Sequence, residues 1–238
     1  EEGLTVEQIA KILKTTDLEI KGHCYEKKKV PPYEFQQLIY SAVESGFPAL
    51  LAFKTLGNEG HIVPVIGHTF NDDNWLPNAE KDYFQLGKVK YLRSTDWVNN
   101  FIIHDDNYGT YFCLPVKFFK NDQLIAVFQI FPKGVEEAPI NIELRAVLSL
   151  EEIIRRIDGN SQLKNFTNNN YWCNKLKELI LINKIVIRTF LIKRNEYINS
   201  LRNEDIDGLS VEENYIKYLK ENLPTLFWIS EISLPELF

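Results

Sequence analysis

The chain has 238 residues, 45% apolar and 25% charged, with a formal net charge of −6. That is the composition of an ordinary soluble globular protein, with enough chain for one large domain or two small ones and no need of a metal or disulfide staple. The acidic balance excludes a dedicated nucleic-acid binder, no apolar run approaches the ~20 residues of a bilayer span, and Glu1-Glu2-Gly3 is acidic where a signal peptide is basic.

The elements follow in chain order. Thr5 and Gln8 form a capping box ahead of a helix with Val6, Ile9, Ala10, Ile12 and Leu13 at helical spacing. A short strand is expected over 18–25, then a turn through Lys27-Lys28-Lys29 and Pro31-Pro32. A second helix is expected over 33–45, stopped by Gly46 in the left-handed conformation. The apolar run 47–53 reads as a central strand, and 61–70 as a second buried strand. From Asn71 to Trp97 the pattern dissolves into a long polar insertion that carries Trp75, Tyr83, Phe84 and Tyr91. Strands resume at 98–104, 110–116 and 124–131, with Asp105-Asp106-Asn107-Tyr108-Gly109 as a turn. Beyond Pro132 we expect a helix capped by Ser149, another over 172–183, a strand at 185–192, a helix opened by Ser210 and Glu213, and a last strand at 226–233. The fold class is therefore α+β, a central antiparallel sheet with helices to one side, in two parts: 1–132 as core and 133–238 as an extension packed on it.

Three of the four histidines, His61, His68 and His104, fall at the ends of neighbouring strands. Strict alternation places His61 and His68, seven positions apart, on opposite faces, so one face could carry His61 with Asp105 and the other His68 with His104. A histidine oriented by a carboxylate is what activation of a thiol or hydroxyl requires. The competing reading is that strand-end histidines satisfy backbone groups and that Asp-Asp-Asn-Tyr-Gly is only a turn. No metal is expected: His61, His68, His104 and Asp105 cannot converge from regular strands, and Asp72, Asp73, Asp105 and Asp106 lack calcium-loop spacing. No other cofactor is called for. Trp75, Trp97 and Tyr108 are the candidate substrate-contacting residues, the alternative being that the aromatics anchor the insertion to the sheet. The cluster Lys184, Arg188, Lys193 and Arg194 reads as a solvated basic face.

The order "GLTVEQIAKIL", "VESGFPALLAF", "GHIVPVIGHTF" and "FIIHDDNYGTYFCLP" resembles the papain-like cysteine peptidases, in the branch similar to bacteriocin-leader-processing (double-glycine) peptidases. The resemblance spans about residues 3–116. It implies a papain-like core, His61 as general base, Asp105 as its orienting partner, and a peptide or protein substrate. The closing half is similar to the tails of uncharacterised bacterial proteins with the same core. In that branch the nucleophilic cysteine opens a helix upstream of the first helix here, preceded by an oxyanion-hole glutamine. Neither residue is visible in this chain, and the segment between the base and acid strands is longer than usual. The chain lacks methionine altogether, which leads us to expect a fragment, or a chain from which positions have been dropped. Of the visible thiols, Cys24 is the substitute nucleophile to consider, although it sits on a strand rather than at a helix N-terminus. Cys113 and Cys173 are expected to be inert. No CxxC occurs, and the odd count of 3 cysteines fits a reducing cytoplasm better than a disulfide framework. The expectation is a cysteine peptidase-like hydrolase or acyl transferase; the alternative is an inactive module of that fold that captures an extended peptide by strand addition.

Overall fold

The computed structural model describes residues 4–15, 20–26, 32–55, 57, 59–70, 84–86, 89–120, 122–159, 178, 185–203 and 211–233. Over these residues the chain is mixed α+β, built on two sheets. The larger is antiparallel and holds β1 (Ile20–Glu26), β2 (Ala49–Lys54), β3 (Gly60–Phe70), β6 (Val98–Asp105), β7 (Gly109–Pro115) and β8 (Leu124–Pro132), in the order β1-β8-β2-β3-β6-β7. The smaller holds β4 (Phe84–Leu86), β5 (Val89–Arg93), β9 (Val186–Lys193) and β10 (Leu226–Ser233), in the order β10-β9-β5-β4, with β5 and β9 parallel.

Helix α1 (Val6–Thr15) is opened by the expected box: the Thr5 amide donates to Gln8 Oε1 at 2.7 Å and the Gln8 amide to Thr5 Oγ1 at 3.2 Å. Helix α2 (Pro32–Glu44) ends where Gly46, at φ +75°, lets the Phe47 amide turn back to the Ala42 carbonyl at 3.0 Å. The helices do not share one side of the sheet. Alternation along β2 and β8 gives each face its own apolar set, and each set takes a helix. Ala52, Ala126 and Phe128 meet Val6, Ile9 and Leu13 of α1. On the other face Leu51, Val63, Val65, Phe101 and Val127 meet Phe35, Leu38, Ile39 and Ala42 of α2. No helix among the described residues is long and apolar enough to cross a membrane.

The second half departs from the sequence expectation at several points. Helix α3 runs Pro139–Gly159, ten residues ahead of Ser149; Pro139 starts it because a first-turn proline loses no hydrogen bond and its φ is already helical. Helix α4 (Arg194–Asn203) was not expected, although Tyr197, Ile198 and Leu201 form a short apolar stripe that packs on Ile216 and Leu219 of α5 (Glu213–Asn222). The box at α5 does not form as expected: Glu212 is the N-cap, without a side-chain bond, and Ser210 lies outside the described residues. So do Trp75, Tyr83, Cys173 and, Glu178 apart, the helix expected over 172–183. Within the expected insertion, 84–86 and 89–93 are strands and Ser94–Trp97 is a 3-10 turn. Through β5 the first half of the chain pairs with β9 from the second.

The sheets are joined by a buried polar node. Glu143 of α3, fully buried, accepts from Gln37 Nε2 of α2 at 3.0 Å, from the Tyr91 hydroxyl at 2.9 Å and from Arg93 Nε at 2.6 Å. Burial pushes the Glu143 carboxyl above its ordinary value, against the pull of Arg93 and Tyr91. A second link runs from the end of α2 to β9: Glu44 bonds His68 Nε2 at 2.5 Å and, through its other oxygen, Arg188 Nε at 2.7 Å. Arg188 also meets Glu231 at 3.1 Å and covers the Phe190 ring, so it belongs to the packing rather than to a solvated basic face.

Glu143→Ala strands a buried guanidinium, and we expect a loss of about 3–5 kcal/mol in urea unfolding; a loss under about 1 kcal/mol contradicts the role given to the node. Glu44 gives a pH signature. Burial pushes its carboxyl up, but the bonds from His68 and Arg188 outweigh this and hold it below its ordinary value. The native state then binds the proton less tightly than the unfolded chain, so the contribution is complete above the ordinary Glu range (about pH 4.3) and is lost as pH falls through the lower native value. Glu44→Gln is therefore less stable than wild type at pH 7, and the gap closes between about pH 5 and 3; a gap independent of pH contradicts the assignment.

Candidate functional site

The β2–β3 hairpin closes through the Thr55 amide on the Glu59 carbonyl at 2.8 Å, and Phe53 pairs with His61 across it. The Phe53 ring meets the His61 ring edge-on at 5.3 Å and is braced by Phe118, also at 5.3 Å. His61 points to the α2 face with Val63 and Val65, at the open end of β3.

Asp105 ends β6 on that same face. Its side chain is 1% exposed, and its Oδ1 accepts the amides of Asn107 at 2.7 Å and Tyr108 at 3.1 Å. This Asx turn spends one carboxylate oxygen on the backbone and aims the other outward. Asp105 Oδ2 accepts from His61 Nε2–H at 3.1 Å. Burial pushes the Asp105 carboxyl up, but the two amides and His61 outweigh it, so Asp105 is held below the ordinary carboxylate value. With the hydrogen on Nε2, the lone pair of the ring lies on Nδ1, and no partner for Nδ1 is found among the described residues.

The expected pairing of His61 with Asp105 is present; the expected separation of His61 from His68 is not. Between Val65 and Gly67 the register against β6 slips by one residue, Val65 facing Ile103 and Gly67 facing Ile102. The extra residue, Ile66, shifts the alternation, so His68 faces α2 as His61 does. A Cβ on Gly67 would lie 3.2 Å from Ile102 Cδ1, which is why glycine sits beside the bulge. A lone glycine inside an apolar strand was the signal available in the sequence. His68 does not join His104. It bonds Glu44 and packs on Tyr40 at 5.0 Å, whereas His104 is exposed on the α1 face.

Cys24 lies on β1, with β8 and β2 between it and β3, and the pairings Cys24–Phe128, Leu50–Phe128 and Leu50–Pro64 place it level with Pro64. Three strand spacings, about 14 Å, separate it from β3 before the further offset along the strand. It packs among the residues under α1 and cannot reach His61. Cys113, on β7, is exposed and paired with Ile102. Trp97 is 5% exposed and packs with Leu92 and Val186, so the structure makes it core and not a groove wall. Tyr108 is 72% exposed and stacks on Phe112 at 5.1 Å, beside His61. With Phe53, Phe112, Leu114 and Phe118 it lines a cleft of about 520 Å³ with His61 and Asp105 in its wall. A second hollow, of about 600 Å³, lies on the α1 face between Val6, Ile9, Leu50 and Ile62, with His61, His104 and Asp106 at its margin.

Asp106 enters the sequence reading only as a calcium ligand without the right spacing. Its Oδ1 stands 3.4 Å from His61 Nε2, and its side chain is 81% exposed. No convergent metal ligands were expected from regular strands, yet among the described residues His61, Asp105 and Asp106 do converge, with ligand atoms within 4.8 Å of one another.

The two aspartates are expected to differ in stability. Asp105→Ala leaves two backbone amides without their acceptor and costs about 1–3 kcal/mol. Asp106→Ala stays within about 0.5 kcal/mol of wild type. Equal effects in urea unfolding contradict the asymmetry described. In comparisons with known proteins, the chain matches no family model, no curated protein and no solved structure.

Proposed function

We propose that this chain carries the base-and-orienter half of a cysteine peptidase-like hydrolase or acyl transferase with a papain-like core, acting on a peptide-type bond. The observation that carries the reading is the His61–Asp105 bond at 3.1 Å, with Asp105 locked by two amides and both residues in the wall of the cleft. In this reading Nδ1 takes the proton of an attacking thiol. Asp105 fixes the Nε2–H tautomer and stabilises the imidazolium, and the later return of that proton to the leaving group completes acyl transfer. Cys24 and Cys113 are both placed away from His61, and Cys173 lies outside the described residues; in this reading the attacking thiol is neither of the two described cysteines. The fold-level support is an antiparallel sheet whose adjacent strands β3 and β6 bring the base and its partner together across 44 residues.

A second reading is favoured by the exposed stack of Tyr108, in the turn, on Phe112 of β7, the outermost strand of its sheet among the described residues. In it the chain binds an extended peptide through aromatic contacts and performs no chemistry.

The test is alkylation of the natural polypeptide that contains this chain. We expect one thiol to be modified rapidly at neutral pH and slowed at least about tenfold by His61→Ala, because the thiolate is the reacting form. Uniformly slow thiols, indifferent to His61, reject the enzymatic reading in favour of the binding module.

A further inference from the structure

Orienting a catalytic histidine takes one carboxylate, and this site has two. His61 Nε2–H is a single donor, already given to Asp105 Oδ2 at 3.1 Å; Asp106 Oδ1, at 3.4 Å from the same nitrogen, makes no hydrogen bond to it. Two carboxylates thus face one imidazole nitrogen, and a cation held among them would offset their mutual repulsion. Ligands bound at about 2.0–2.1 Å in a tetrahedron lie about 3.3–3.4 Å from one another; Nε2 stands 3.1 and 3.4 Å from the two oxygens, and all three atoms lie within 4.8 Å of one another, close enough to converge on one ion.

We propose that His61 Nε2, Asp105 Oδ2 and Asp106 Oδ1 form a binding site for a Zn²⁺-class divalent transition-metal ion, and that the ion and the general-base role of His61 are mutually exclusive. One imidazole and two carboxylates suit Zn²⁺ or Co²⁺, whereas Mg²⁺ and Ca²⁺ prefer oxygen ligands alone. The outer shell is in place: the Asn107 and Tyr108 amides hold Asp105 Oδ1 and leave Oδ2 as the ligand atom. Asp106, exposed to solvent, gives the ion a way in, and water completes the shell. Exclusivity follows from the tautomer. A metal on Nε2 requires a lone pair there, which moves the ring hydrogen to Nδ1, the nitrogen that the proposed chemistry needs free. The ion is therefore an off-switch. Binding itself does not depend on the enzymatic reading; the inhibitory consequence does.

Calorimetric titration of the chelator-treated protein with ZnCl₂, with Co²⁺ absorption as the geometric readout, tests the site. We expect one ion per chain, tetrahedral-type Co²⁺ bands, no competition from excess Mg²⁺, loss of binding in His61→Gln, and at least about tenfold weakening in Asp106→Asn. Zn²⁺ should suppress the fast alkylation of the wild type, and Asp106→Asn should require at least about tenfold more Zn²⁺ for the same suppression. His104→Gln should bind normally; loss of binding there moves the ion to the α1-face hollow and overturns the proposal, as does binding that survives His61→Gln. Circular dichroism on each variant separates lost ligands from lost fold. Alkylation in the presence of chelator reports on the enzymatic reading alone, so the two can fail separately.

Discussion

Glu143 carries a carboxylate with no access to solvent, and the arrangement of both sheets follows from how that charge is satisfied. Three donors reach it, from α2 by Gln37 and from β5 by Tyr91 and Arg93. Each donor comes from an element already committed to a layer: α2 lies on the large sheet and β5 belongs to the small one. Apolar packing alone would tolerate some sliding between those layers. A buried ion pair with convergent hydrogen bonds does not, because any displacement leaves a charge uncompensated in a medium that cannot screen it. The Glu44–Arg188 pair fixes the far end of α2 in the same way. The helix that backs the His61 strand is thus pinned at its middle and at its C-terminal end, and the strands that present His61 and Asp105 rest against a fixed support.

The candidate site inherits its geometry from that support but its chemistry from a short turn. Asp105 is positioned by the residues that follow it, and Phe53 limits the His61 ring. A site assembled from local backbone bonds and one aromatic contact needs little rearrangement when a substrate or an ion arrives. Asp106 differs from Asp105 in burial although it is the next residue. The strand ends between them, so one carboxylate belongs to the fold and the other to the solvent.

What could be read from the sequence was what short-range chemistry determines. The Thr5–Gln8 box, the Gly46 stop, the central strands and the 105–109 turn each depend on residues within a few positions, and each is present. The His61–Asp105 pairing was legible because two adjacent strands with polar ends leave few alternatives. Glu44–Arg188 and Gln37–Glu143 join residues 144 and 106 positions apart, and nothing local marks them. The bulge at Ile66 failed strict alternation for a local reason, since one extra residue reverses every face beyond it. The early start of α3 and the α5 cap were misread because Ser at 149 and 210 suggested a capping role that Pro139 and the Glu212 backbone take instead.

Tyr111 sits in the middle of β7 at φ +62°, a left-handed conformation that costs a bulky residue strain. Its effect reaches past the strand itself. Along that outer edge the extended backbone is interrupted at Tyr111; beyond it Phe112 to Leu114 carry both an amide and a carbonyl, whereas Pro115 has no N–H to offer. A guest strand can therefore dock over a few residues but cannot propagate along the whole edge. The same kink that shortens any grip on a peptide also protects the molecule from endless edge-to-edge stacking with its own copies.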